Sequence, residues 1–183
     1  MNKKLAILGG PKAFDEKVNR FNGMGIEEVE AAKKVVESGL LSQFLGEWED
    51  DNPIDFFGGK KIREFEDNWS DFFNVKHSIS VNSCTSGLIA ALGAIGINPG
   101  DEVIVCTWTM CATATSVLVW NAIPVFADID KDTFTIDPVS IENNVTNKTK
   151  AIIVTNIFGQ SVNFIKIKQI ATKFNLKIIE DNA

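Results

Sequence analysis

Five short segments hold most of the residue types able to do chemistry in this chain: "NSCTSG" (82–87), "CTWTM" (106–110), "ADID" (127–130), "TNIFGQ" (155–160) and "EDNA" (180–183). The first joins an apolar run to a helical pattern. Cys84, Thr85 and Ser86 are small and two carry hydroxyls, so an anion could reach the free N–H groups and positive dipole of a helix start. The same residues also make an ordinary N-cap. They make neither a P-loop, which ends in Gly-Lys-Ser/Thr, nor a dinucleotide fingerprint with its three spaced glycines. Asp181 follows the apolar run "KIIE". A carboxylate there could contact a ribose, a metal or a protonated ring nitrogen, or simply cap a helix. Asp128 and Asp130 could share a metal, yet "DIDKDTF" also reads as a solvated turn with few further oxygen ligands. Trp108 could stack on a planar ligand or pack in the interior. The single histidine, His77, is expected to open a strand at the amino edge of the sheet, which leaves no histidine for a Ser-His-Asp triad. Cys106 and Cys111 are too few for structural zinc and read as small core residues.

The elements that must position these segments alternate. Residues 26–38 have helical spacing, with Gly39 as the stop. Residues 40–59 lack a steady period and read as an ordered loop. A helix over 60–73 places Ile62, Phe65, Trp69, Phe72 and Phe73 on one face. The spacing then predicts a strand at 77–81, a helix from "SCTSG" through "LIAALGAIGI", a strand at 103–106, a helix at 111–120 and a strand at 123–130. A short helix capped by Asp137 and Pro138 follows, then a strand at 150–159, a helix at 162–174 and a strand at 176–180. The strands are short and apolar on both faces. That pattern belongs to an α/β fold with a mostly parallel sheet covered by helices on both sides. Ligands in such folds bind beyond the carboxyl ends of the strands, where all five polar segments lie.

Composition narrows the classes further. The 183 residues include 18 Lys and Arg against 24 Asp and Glu, a net charge of −6. The basic residues are scattered, so no stripe faces a phosphate backbone, and nucleic acid is not an expected partner. No stretch approaches the roughly 18–20 apolar residues of a membrane span. The run "LAIL" near the start is too short for a signal-peptide core. Three cysteines without an export signal imply reduced thiols and a cytoplasmic location.

In their order and spacing, "LAILGG", "FEDNWSDFFNVKHSISVNSCTSGLIAALGAIGINPGDEVIV", "ATATSVLVWNAIPVFADIDKDTFTIDP", "TNKTKAIIVTNIFGQ" and "KIIEDNA" resemble the DegT/StrS-type sugar aminotransferases. The resemblance implies the aspartate-aminotransferase (type I) fold and pyridoxal 5'-phosphate as cofactor. Its phosphate-binding turn, commonly Ser-Gly-Thr-Ala/Ser, matches Ser83, Cys84, Thr85 and Ser86, with cysteine where glycine is usual. Asp181 matches the family aspartate that pairs with the pyridinium nitrogen and keeps the ring protonated. The family's stacking aromatic falls at Met110, with Trp108 offering an aromatic two residues earlier. Asn156 and Gln160 would be polar contacts near the ring.

The family's Schiff-base lysine lies beyond the aspartate strand, and no lysine in these 183 residues matches its position. Lys177, Lys148 and Lys150 precede or begin strands. The resemblance therefore implies an incomplete cofactor-binding large domain over 60–183, preceded by a helix and loop segment over 1–59 and truncated before a smaller C-terminal domain. Such a piece is expected to be inactive alone. The full enzyme would move an amino group from an amino acid donor to a keto sugar or cyclitol, as a homodimer. Two alternatives stay open: a sugar dehydratase of the same family, in which the lysine is replaced, and a non-catalytic α/β module that binds a phosphorylated ligand.

Overall fold

The computed structural model describes residues 4–14, 16–17, 19–42 and 58–183. Of the expected loop at 40–59, residues 43–57 lie outside the described residues. The chain divides into two compact units, residues 1–78 and 79–183.

In the first unit, α1 spans Ile26–Ser38 and ends at Gly39, whose φ of 71° is the left-handed value that favours glycine at a helix stop. The Glu28 side chain reaches back to accept from the Gly25 N–H at 2.6 Å. That bond, near the positive end of the helix, lowers the Glu28 pKa. Helix α2 spans Lys60–Phe73. Its aromatics stack along one side: Phe65 and Trp69 have ring centroids 5.7 Å apart, Trp69 and Phe73 4.7 Å. This is the face that the spacing predicts.

The second unit carries the sheet. Strands β1 (Glu102–Cys106), β2 (Ile123–Ala127), β3 (Thr149–Thr155) and β4 (Lys177–Asp181) lie in the order β2-β1-β3-β4, all parallel. Residues alternate cleanly between two cores. Val103, Val105, Ala151 and Ile153 face one side and pack with Leu88 and Leu92 of α3 (Cys84–Ala94) and Val117 of α4 (Cys111–Leu118). Ile104, Cys106, Ile152 and Val154 face the other, against Ile141 of α5 (Pro138–Asn143) and Ile167, Ile170 and Ala171 of α6 (Phe164–Phe174). Because helices cover both faces, the strands have no polar side, as their apolar runs predict. At the start of α5 the Asp137 side chain accepts from the Val139 N–H, and Pro138 occupies the first turn, as expected.

Gly93 is required by packing. A Cβ there would fall 2.4 Å from Cζ2 of Trp120. The indole lies across α3 and donates from Nε1 to the Ile89 carbonyl at 2.9 Å. This contact docks α3 on α4 and so fixes where the start of α3 stands.

One expected strand is not formed. Residues 77–81 enter no ladder, and Ile79 is exposed. Alternating apolar and polar residues supply a strand's pattern, but a strand also needs a neighbour for its backbone groups, and none of the four strands pairs with this segment. His77 therefore opens no strand; it is exposed and belongs to the first unit. Other boundaries move slightly. Strand β3 stops at Thr155 because the chain turns at 157–159, and β4 runs one residue further than expected, so Asp181 is itself the last residue of the strand.

Candidate functional site

The connections out of β1 and β3 diverge. After β1 the chain crosses to β2 on one side; after β3 it crosses to β4 on the other. The carboxyl ends of β1 and β3 thus flank a topological switch point, the usual ligand crevice of an open α/β sheet. A hydrogen bond spans that seam, with the hydroxyls of Thr109 and Thr155 3.2 Å apart.

Asp181 stands at the adjacent end of β4 and is 5% exposed. Its Oδ2 accepts from the Thr113 hydroxyl at 2.9 Å. Its Oδ1 faces the Cys84 thiol at 3.7 Å and the Ala183 N–H at 3.3 Å. A hydrogen bond to a buried carboxylate contributes about 1.5–3 kcal/mol. Among the described residues, no lysine, arginine or histidine makes an ion pair with Asp181. The Thr113 hydroxyl, the Cys84 thiol and the Ala183 N–H hold the carboxylate in place.

The Cys84 contact brings the first turn of α3 beside Asp181. Ser83 caps the helix: its Oγ accepts from the Ser86 N–H at 3.1 Å. Thr85 is exposed and Ser86 partly so. The start of an eleven-residue helix, bordered by hydroxyls and without acidic residues, can take an anion. Although Cys84 is exposed, desolvation of its thiol is the main cause that raises its pKa, with the nearby Asp181 charge adding to it. The thiol stays protonated at neutral pH and can donate toward the carboxylate.

Two further segments, 106–110 and 155–160, are linked to Asp181 through Thr109 and Asn156. Trp108 is half exposed and leans on Phe134, ring centroids 6.1 Å apart. Met110 is exposed at the N-cap of α4. Asn156 ties the ends of β3 and β4 to the turn that follows β3. Its N–H donates to the Asp181 carbonyl at 3.1 Å, its Nδ2 to Asn182 Oδ1 at 2.6 Å, and its Oδ1 accepts from the Val162 N–H at 3.0 Å. Gln160 is exposed at the end of the following turn, where its N–H donates to the Ile157 carbonyl, and none of its bonds leads to Asp181. In that turn Phe158 has φ 55° and Gly159 φ 72°. A left-handed phenylalanine is unusual, and its ring is exposed.

Away from the crevice, Asp130 is committed to its own turn. Its Oδ1 accepts from the N–H groups of Asp132 and Thr133, which lower its pKa. Cys106 is a buried core residue, as expected, whereas Cys111 is exposed at the start of α4. Sequence reasoning missed Thr109, Thr113 and Thr155. Thr109 and Thr155 lie in segments already singled out, but Thr113 sits within a helix and carries no local mark.

No helix among the described residues is long and apolar enough to cross a membrane. The family model for the DegT/DnrJ/EryC1/StrS aminotransferases matches residues 49–183. The chain is 39% identical over 160 residues to the spore coat polysaccharide biosynthesis protein SpsC of Bacillus subtilis, covering 87% of this chain and 37% of that protein. It is 43% identical over 125 residues to the GDP-perosamine synthase of Caulobacter vibrioides, covering 68% of this chain and 34% of the relative. Among solved structures, NtdA from Bacillus subtilis with bound cofactor PMP superposes with a TM-score of 0.73 at 30% identity, over 85% of this chain and 32% of that one. The chain thus spans about a third of the length of the curated relatives it matches. With the parallel sheet, the helix start beside Asp181 and these likenesses in hand, the chain belongs to the DegT/DnrJ/EryC1/StrS aminotransferase family.

Proposed function

We propose that this chain forms the cofactor-cradling part of a pyridoxal-phosphate-dependent aminotransferase. The enzyme moves an amino group from an amino acid donor, such as glutamate or glutamine, to a keto group on a nucleotide-linked sugar or a cyclitol. The observation that carries this reading is Asp181, a carboxylate 5% exposed, held by neutral donors and lacking a protein cation among the described residues. When bound, the cofactor supplies a protonated pyridine ring that draws electrons from the substrate carbon. Asp181 holds the proton on the ring nitrogen. Thr85 and Ser86 at the start of α3 take the phosphate through N–H groups and hydroxyls, and Cys84 spaces that turn from the carboxylate. We assign the cover of the ring to Met110, because Trp108 already packs on Phe134. Asn156 orders the strand-end loop, and Gln160 is placed at its exposed edge.

Lys148, Lys150 and Lys177 all stand at the amino ends of β3 and β4, a strand length from Asp181. The reading therefore assigns the covalent amine to none of them. It also takes the working form to be a cytoplasmic homodimer, after the family habit. The relatives named for sugar products support the substrate class. In the full-length gene product, Asp181→Asn should lower turnover of amino donor and keto sugar by about 100-fold or more. Turnover near that of the unchanged protein would sink the role of Asp181.

A further inference from the structure

Three buried or half-buried threonines form a continuous line from the switch point to Asp181. The Thr155 and Thr109 hydroxyls are 3.2 Å apart, those of Thr109 and Thr113 2.9 Å, and Thr113 Oγ1 is 2.9 Å from Asp181 Oδ2. Thr113 is 0% exposed and Thr155 5%. Each hydroxyl has one hydrogen to give. A carboxylate only accepts, so Thr113 gives its hydrogen to Asp181 and must accept from Thr109. Thr109 has then given its own, and must accept from Thr155. One polarity satisfies the whole line, and it runs toward the carboxylate.

We propose that Thr113, aligned by Thr109 and Thr155, is the positioning residue of Asp181: it holds the side chain in one orientation and keeps Oδ2 an acceptor, so that the carboxylate meets a ring nitrogen that carries its own proton. This rests on the reading of Asp181 as the pyridinium partner. A hydrogen on Oδ2 would oppose the hydrogen of Thr113. To accommodate it the Thr113 hydrogen would have to turn away from Asp181, either to a new acceptor or, with the whole line reversed, toward Thr109. Either change is costly, because Thr113 and Thr155 are buried and water has little access to them.

The test compares two probes on the full-length gene product: pyridoxamine phosphate, and its 1-deaza analogue in which C–H replaces the ring nitrogen. Equilibrium dialysis gives both dissociation constants without requiring turnover. The unchanged protein should prefer the nitrogen-bearing probe by about tenfold or more. Thr113→Val, nearly isosteric, should remove most of that preference while changing affinity for the deaza probe less than about twofold. Thr113→Ser keeps the hydroxyl and should restore the preference. Equal weakening toward both probes in Thr113→Val would make Thr113 a packing residue and overturn the proposal, as would loss of the preference in Thr113→Ser. A larger loss of preference in Thr109→Val than in Thr113→Val would overturn the polarity. If the unchanged protein shows no preference, the pyridinium reading of Asp181 itself fails; if the preference exists and survives Thr113→Val, only the positioning role does.

Discussion

The two units use the same kind of helix to opposite ends. In residues 79–183, helices α3 to α6 press apolar faces onto the sheet, and Leu92, Val117, Ile141 and Ile167 are fully buried. In residues 1–78, α1 and α2 carry apolar residues at equally regular spacing, yet neither buries one, and Phe72 is 83% exposed. Period decides whether a segment is helical. Burial, and with it stability, depends on a covering surface that the segment does not carry itself. The candidate site lies in the packed surroundings of residues 79–183: Asp181 and Thr113 hold their places because the sheet and α4 are packed around them.

That contrast can be tested in the 183-residue chain by denaturant unfolding. The largest loss should come from Ile152→Ala at the centre of β3, where the side chain is fully buried between flanking strands. A cavity of that kind costs about 2–5 kcal/mol. Gly93→Ala should follow at about 1–3 kcal/mol, since the added methyl meets the Trp120 ring and overpacks the joint between α3 and α4. Phe72→Ala on the exposed face of α2 should change stability by no more than about 0.5 kcal/mol. A loss there equal to that at Ile152 would erase the distinction between the units.

The smallest effect is one of pH. Burial is the main cause that raises the Cys106 thiol above its ordinary value of 9.0. The unfolded chain then releases this proton first as pH rises, so the folded form loses stability above about pH 9, and the loss grows until the folded thiol ionises as well. Cys106→Ala should show a flatter decline over the same range. An identical slope in both proteins would remove the thiol from the account.

Much of the second unit was legible from apolar runs and turn residues. The strands at 103–106, 123–130, 150–159 and 176–180 were placed within a few residues, and the polar segments at their ends do gather along one edge of the sheet. The start of α3 and the strand end at Asp181 could both be read, because a helix start and a strand end are local features. What escaped depends on partners far along the chain. Thr113 meets a residue 68 positions away, and nothing in "CATATSVL" distinguishes it from the neighbouring Thr115, which bonds its own helix backbone. The segment 77–81 has a strand's composition without a strand's neighbour. Phe158 adopts a left-handed backbone that its side chain would argue against, and only the turn between Asn156 and Val162 accounts for it.

The hydroxyl bond between Thr109 and Thr155 has one further consequence. It closes the seam between the two diverging connections, so the crevice has a base made of short side chains anchored at the ends of neighbouring strands. A ligand resting on that base would sit at a depth set by the sheet, with its surroundings set by the longer connections above. Sequence change in those connections could alter which molecules are admitted while the seat beneath them keeps its level.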